Sequence, residues 1–292
     1  MEELTIIAVR GLGLGAVFSL VAMSLNAVHR ASGIFNFAQG SMLVLGGIIA
    51  ALYMPNVPDP YRWALFLPVA AIALALVMTV QGYITLLPLR SSVEQHSWLV
   101  STLAVSVLIS AVILLLQGNS QILTTSQFPS FPVFGTRTPA PYIMVIVLAF
   151  IWYAILRWFH ARTLTGLSIS AVAQDLDAAR AAGLRVRKLQ MLAFGISGLI
   201  IGSAGFTAAP ILAIANDSGI AYVTNGFVAA VVGGIGSDTG ALIGGALVGV
   251  LSMYTAFAYG GEFQNAVTLG LLVLVLMIKP EGLFGTPAAR KV

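Results

Sequence analysis

Cysteine is absent from this chain, and charged side chains make up only 8% of its 292 residues. Without a thiol the chain forms no disulfide framework and offers no thiolate nucleophile or iron–sulfur ligand. Soluble domains carry about 25% charged residues, so a charge content this low excludes an ordinary water-soluble fold. Because 59% of the residues are hydrophobic, the composition predicts an all-α, polytopic helical integral membrane protein.

Catalytic and energy-converting motifs are also missing. None of the three lysines stands in G-x-x-x-x-G-K-[ST], so there is no P-loop and any ATP-driven motor must be another chain. No nucleophile–base or paired-carboxylate constellation is expected at membrane depth, so the chain is predicted not to be an enzyme and has no catalytic candidate. The three histidines lie near predicted span ends, which predicts no metal site and no cofactor.

Apolar runs dominate what is present, and they predict about eight to ten transmembrane helices in a single domain over residues 1–292. The run 222–236 is short, so it and its neighbour form either a broken or re-entrant pair or two ordinary helices. The polar outer loop 117–140 is either a connection or part of a docking surface. The predicted spans are 11–28, 33–53, 63–88, 97–116, 141–159, 189–212, 222–236, 240–259 and 263–279.

The net charge is +4, and the basic residues are unevenly placed. Eleven of the 14 lysines and arginines belong to the side that carries the long loop 160–188, and only Arg10, Arg62 and Arg137 belong to the other. The positive-inside rule assigns the basic side to the cytoplasm, with the N-terminus outside and the C-terminus inside. The same rule explains the basic character of the chain, and no nucleic-acid partner is expected.

Glycine is frequent, with 30 residues, although each costs about 1 kcal/mol relative to alanine inside a helix. Gly236, Gly240 and Gly244 recur every four residues, and such a stripe lets two helix backbones approach closely in lipid. We interpret these three as helix-packing residues. The alternative is that some of them line a path along which a solute passes the backbone.

Polar side chains interrupt the apolar runs at two places. Asn36, Phe37 and Gln39 lie where the second run begins, and Ser237 and Asp238 lie in the turn before the eighth. Polar groups at membrane depth are costly unless they have partners. The five residues are therefore candidates for a substrate pathway, and the alternative for the amides is a hydrogen bond between helices.

The two places also show a weak internal similarity. The stretches 37–47 and 236–245 both contain a Gly-rich break and both open an outward-going helix. Transporters are often built from repeats whose broken helices meet near the midplane, which is one explanation, and chance similarity is the other.

The longest inner loop, about residues 160–188, is predicted to contain a short cytoplasmic helix. Asp175 can cap its second half, and Gly183 can end it in the left-handed conformation. A short, rigid helix held between two spans suits a lever for a cytoplasmic partner. The alternative is a capped surface helix without a partner.

Four motifs then follow one another along the chain with a consistent spacing, and together they resemble one family. That family is the integral-membrane permeases of ABC importers for branched-chain amino acids, which includes the urea and short-chain amide permeases. The motifs are Ser32–Gly40, the loop from Ala171–Asp175 to Gly183–Leu184, the pair Val232–Ser237 and Gly240–Gly245, and Lys279–Gly285.

The resemblance implies a permease that imports Leu, Ile or Val across the cytoplasmic (inner) membrane of a prokaryote. It implies cytoplasmic ABC ATPase subunits, a second permease subunit, identical or homologous, and an extracytoplasmic solute-binding protein as partners. Urea or amide import, a stand-alone channel or facilitator, and a membrane scaffold are the alternatives. The inner loop matches the family's ATPase-coupling segment, which would comprise Gly166, Ala171, Asp175, Ala178, Ala179 and Gly183.

Overall fold

The fold is that of a computed structural model, which describes residues 2–54, 59–86, 97–118, 121–122, 124–133 and 136–285. A small hairpin, β1 (Phe131–Val133) with β2 (Thr136–Thr138), stands among its helices. The helices of these ranges are α1 (Glu2–Ser32), α2 (Gln39–Tyr53), α3 (Pro60–Leu86), α4 (Ser97–Gln117), α5 (Ala140–Arg162), α6 (Leu164–Gln174), α7 (Leu176–Ala181), α8 (Val186–Ala208), α9 (Ser218–Gly233), α10 (Asp238–Ala258) and α11 (Gln264–Ile278).

Each of the nine predicted apolar runs corresponds to one of the helices α1 to α5 or α8 to α11. Seven helical segments of the described chain are long and apolar enough to cross a membrane, the last of them formed by the 3-10 turn Gly261–Phe263 together with α11, 18 residues in all. The helices α2 and α9 have only 15 and 16 residues, fewer than the roughly 20 that a crossing needs. The fold is therefore the predicted polytopic, all-α membrane fold, with two half-length helices among its spans.

The second run begins differently from the predicted span 33–53. Residues 33–38 are not helical, and α2 begins only at Gln39. Within this break the side-chain oxygen of Asn36 accepts a hydrogen bond from the N–H of Ala38 at 3.1 Å, which is a local turn typical of Asn. Hydropathy does not detect the break, because four of its six residues, Ile34, Phe35, Phe37 and Ala38, are apolar like the helices beside them.

Two triplets of helices are related by how they pack. The triplet α1–α2–α3 and the triplet α8–α9–α10 each consist of a long, a half-length and a long helix. The first helix of each triplet packs antiparallel along the third helix of the other, since α1 contacts α10 and α3 contacts α8. Inverted repeats of transporters have this relation.

The packing corrects the internal similarity read from the sequence. That similarity paired the stretch 37–47 with 236–245, which would match α2 to the start of α10. In the structure α10 begins at the end of α1, where the Nδ2 of Asn26 donates to the carbonyl of Ser237 at 3.3 Å. The counterpart of α2 is α9, the other half-length helix.

The half-length helices begin inside the helical body. Gln39, the first residue of α2, donates from Nε2 to the carbonyl of Ser24 at 3.2 Å, and Ser24 lies eight residues, or about 12 Å, before the end of α1. At the start of α9, a Cβ on Gly219 would lie 2.8 Å from the backbone nitrogen of Ser41. The N-terminal ends of α2 and α9 thus cross in the interior, and we refer to this contact as the α2–α9 crossing.

The long helix α5 runs from one end of the molecule to the other. The β-hairpin precedes it, and α6 and α7 follow it; we call the end with α6 and α7 the inner end. Large apolar side chains cover the outside of the long helices, for example Leu115, which is 85% exposed, and Leu76, which is 65% exposed. An outer surface of this kind suits contact with lipid, in keeping with a multi-pass membrane protein.

Candidate functional site

The break before α2 is held by a pair of amide side chains. Asn36 donates from Nδ2 to the Oε1 of Gln81 on α3, and Gln81 donates from Nε2 back to the Oδ1 of Asn36, both at 2.9 Å. Asn36 is completely buried, and Gln81 is 5% exposed. In this conformation Asn36 therefore makes the hydrogen bond between elements that was one of its two interpretations.

Gln39 lies in a second polar group, at the α2–α9 crossing. Its Nε2 donates to the hydroxyl of Ser197 on α8 at 2.8 Å, in addition to the carbonyl of Ser24. The hydroxyls of Ser24 and Ser197 are themselves 2.7 Å apart. Gln39 thus joins α1, α2 and α8 where α2 starts, and its Oε1 is buried without a protein partner.

Phe37 belongs to an aromatic cluster on the inner side of the crossing. Its ring is stacked with that of Trp98 on α4 at a centroid distance of 6.5 Å and lies 5.7 Å from that of Phe227 on α9. Phe35 contacts Phe227 edge-on at 5.2 Å and stacks on His29 at 4.4 Å. All five rings are only partly buried, so this aromatic cluster differs from the buried, hydrogen-bonded amides beside it.

Ser237 and Asp238 lie apart from these groups, at the inner end. The hydroxyl of Ser237 accepts a hydrogen bond from the N–H of Gly240 at 3.0 Å and so caps α10. Asp238 is only 9% exposed; it forms an ion pair with Arg30 on α1 at 3.3 Å, and its Oδ2 lies 3.2 Å from the Nδ1 of His160 on α5. The five candidate pathway residues thus fall into two groups, one at the crossing and one at the inner end.

Sequence reasoning missed four residues that complete these groups. Gln81 and Ser197 lie in largely apolar helices, where nothing in the sequence indicates a partner. Arg30 and His160 were noted only as charges near span ends. The position of Asp238 between two apolar runs was the one available signal, because a carboxylate in an apolar environment needs a cation nearby.

The glycines of the predicted stripe have different roles. Gly240 on α10 packs against the backbone of Gly233 on α9, and Gly244 packs against the carbonyl of Ala229 and the backbone of Gly233. Gly236 departs from the prediction: it lies in the turn between the two helices with a φ of +78°, and a Cβ there would meet only the Arg30 side chain, at 4.0 Å. Its positive φ, which an L side chain rarely adopts, explains the glycine.

The inner loop forms two short helices with a cap between them. The carboxylate of Asp175 accepts hydrogen bonds from the N–H groups of Asp177 and Ala178 at 3.0 and 2.9 Å and so caps α7. Gly183, with a φ of +82°, follows the end of α7. The N–H of Leu184 donates to the carbonyl of Ala179 at 3.1 Å, as in a helix C-terminal cap.

The six residues assigned to the coupling segment divide by exposure. Gly166 and Ala179 are buried against the rest of the chain: a Cβ on Gly166 would collide with the backbone of Phe159, and Ala179 packs in a cluster with Val172 and Val186. They hold the segment in place. The members that face solvent are Ala171, Asp175, Ala178 and Gly183.

Within the described residues, no three His, Asp or Glu side chains are grouped so that they could hold a metal ion. The chemistry that the geometry offers is hydrogen bonding by amides and hydroxyls at the crossing, and charge pairing at the inner end. Such groups can guide and gate a small solute.

The chain is similar to known transport proteins over almost all its length. Residues 7–276 match the family described as branched-chain amino acid transport system / permease component. The high-affinity branched-chain amino acid permease proteins BraD of Pseudomonas aeruginosa and LivH of Escherichia coli are each 28% identical to it, over 97% of this chain and 96% of theirs. The galactofuranose transporter permease protein YtfT of Escherichia coli is 28% identical over 70% of this chain and 67% of its own. No solved structure matches the chain.

Proposed function

The chain belongs to the family of branched-chain amino acid transport system permease components, and from this membership we propose that it is the membrane subunit of an ATP-driven importer. In this proposal it carries Leu, Ile or Val across the cytoplasmic membrane of a prokaryote, with its N-terminus outside. Hydrolysis of ATP takes place on separate ATPase subunits, and a solute-binding protein delivers the solute from outside. A second permease subunit completes the pathway.

The capped segment α6–α7 carries the proposal. It lies between two long helices at the inner end, and it is anchored by buried residues while four of its assigned residues face solvent. A passive channel has no use for a rigid lever at this place. An importer driven by a cytoplasmic ATPase needs one, because the motion of the motor must reach the membrane helices.

The solute class is supported by the names of the two full-length relatives and by the surroundings of the crossing. Its polar groups are amides and hydroxyls, without a charged side chain in their hydrogen bonds. Uncompensated ions are costly in such a place, so a neutral or zwitterionic solute suits it. The relative named for galactofuranose matches a smaller share of the chain.

Uptake into vesicles tests the proposal. The chain, reconstituted with the ATPase and solute-binding subunits that co-purify with it, is expected to import labelled leucine only when ATP is inside and the binding protein outside. Labelled urea and a labelled sugar serve as competing solutes. Flux of leucine without ATP would contradict the importer and favour a facilitator.

A substitution at the cap tests the role of α6–α7. Asp175→Arg removes both hydrogen bonds that the carboxylate accepts at the start of α7, at a cost of about 1 kcal/mol, and we expect it to reduce co-purified ATPase about five-fold or more. Asp175→Asn keeps an acceptor at the cap and is the matched control, expected to retain the ATPase. Equal ATPase recovery with both variants would show that the capped segment is not the docking element.

A further inference from the structure

Three ionisable side chains meet in the interior of the inner end, in a chain that has few of them. Asp238 lies between Arg30 and His160, with side-chain exposures of 10%, 17% and 11%. The Nε of Arg30 also donates to the carbonyl of Gly236 at 2.8 Å. We call Arg30, His160 and Asp238 the inner triad.

Stability alone does not account for the inner triad. Removing charges from water costs several kcal/mol for each ion, and replacing a buried ion pair with apolar side chains is often neutral or stabilising. A membrane protein this rich in apolar residues could fill the space with leucine or isoleucine. The arrangement of the three groups therefore points to a role in which their hydrogen bonds change.

His160 is the residue whose bonds can change. Its Nδ1 lies 2.9 Å from the Nη1 of Arg30 and 3.2 Å from the Oδ2 of Asp238. The nitrogen must accept a hydrogen bond from the guanidinium but donate one to the carboxylate, and one nitrogen cannot do both at once. The inner triad thus has two alternative hydrogen-bonding arrangements in nearly the same geometry, which is the property of a two-state element.

The inner triad is joined directly to the coupling segment. His160 stands in the last turn of α5, and Thr163 is the N-cap of α6. A Cβ on Gly166 of α6 would lie 2.8 Å from the Cα of His160. The backbone of α6 thus rests on the residue that carries the imidazole, so displacement of α6 displaces His160.

On its other side, the inner triad holds the turn between α9 and α10. Arg30 binds the carbonyl of Gly236, and Asn26 accepts from the N–H of Gly236 at 3.0 Å. Asp238 is the first residue of α10, and the opposite end of α9 is the α2–α9 crossing. Beside the triad an open cleft lined by Tyr153, Arg157 and Thr239, among others, leaves room for side chains to move.

We propose that the inner triad is the joint through which motion of α6–α7 reaches α9 and the α2–α9 crossing, with His160 exchanging its hydrogen bond between Arg30 and Asp238. The neutral imidazole carries its proton on Nε2 when Nδ1 accepts from Arg30, and on Nδ1 when Nδ1 donates to Asp238. The inference rests on the proposed function as an ATP-driven importer. In this proposal the three residues are positioning residues, which couple the motor to the gate.

The decisive quantity is the amount of leucine imported per ATP hydrolysed by the reconstituted importer. His160→Leu removes both hydrogen bonds of the imidazole, the one with Arg30 and the one with Asp238. We expect it to lower the leucine imported per ATP about five-fold or more while ATP hydrolysis continues. His160→Gln offers a separate donor and acceptor, so both bonds can form together and the exchange is lost. It is expected to assemble like the unchanged protein and to lower the ratio as well.

A merely structural role would reduce the amount of assembled complex but leave the ratio unchanged. Asp59→Asn is the control, because it weakens a partly exposed ion pair with Arg62 at the start of α3, away from the inner end, and its ratio should equal that of the unchanged importer. If assembled His160→Gln and His160→Leu complexes import as much leucine per ATP as the unchanged protein, the proposed joint is wrong, although the proposed importer function stands. Absence of ATP-dependent uptake by the unchanged complex would instead overturn the proposed function.

Discussion

Gly15→Val is expected to lower the free energy of unfolding by about 3 kcal/mol. A Cβ at Gly15 on α1 would stand 2.7 Å from the carbonyl oxygen of Gly245 and 2.9 Å from the Cα of Ala246 on α10. Both are backbone atoms, so no flexible side chain can yield, and α1 must move away from α10. Overpacking costs about 1–3 kcal/mol and occasionally more, and the two added methyl groups place Val at the upper end.

The effect is measured as the midpoint of thermal unfolding in detergent. Size-exclusion chromatography gives the fraction of folded protein that remains. The matched control is Gly270→Val on α11, where a Cβ would meet no atom within 4 Å. The same substitution there should change the free energy of unfolding by no more than about 0.5 kcal/mol. Equal midpoints for the two variants would contradict the close contact of α1 and α10.

The glycine spacing predicted close helix packing but not which helices pack. Gly11 and Gly15, Gly198 and Gly202, and the pairs on α10 all recur every four residues, so each could serve any partner. The structure pairs α1 with α10 and α8 with α3, where a Cβ on Gly198 would lie 2.5 Å from the Cα of Ala75. Partner choice depends on the order of helices in space, which a spacing of four does not encode.

The half-length helices were partly visible in the sequence. The short run 222–236 left a broken or re-entrant pair as one of two alternatives, and α9 is a helix of only 16 residues. The run 33–53 gave no such sign by length, because residues 33–38 are nearly as apolar as a helix. The two amides and the Gly-rich stretch 37–47 indicated the break, and both amides proved to be hydrogen-bonded to other elements.

The inner triad shows the limit of charge counting. The positive-inside rule treats Arg30 as one of eleven equivalent cations, whereas the structure turns it inward onto Asp238. Whether a basic residue at a span end faces lipid headgroups or the protein interior depends on the helices next to it. The sequence alone predicts how many helices there are better than it predicts which of them are adjacent.

The amide pair should show the second large effect, and a double-mutant cycle isolates it. Gln81→Leu leaves Asn36 buried without its partner, which costs about 1–3 kcal/mol. Asn36→Leu should cost more, since the N–H of Ala38 also loses its acceptor. We expect the double variant to cost less than the sum of the two single variants by about 1–2 kcal/mol.

The free energy of unfolding in mixed micelles decides between this arrangement and a solute-binding one. If the amide of Asn36 only bonds to Gln81 across the break, replacing it lowers the stability of the protein. The affinity for the solute then depends on other residues and does not change. Additive single effects would mean that Asn36 and Gln81 do not bond in the folded protein. The amide of Asn36 would then be free to face the pathway, and the candidate site would extend from Gln39 to include it.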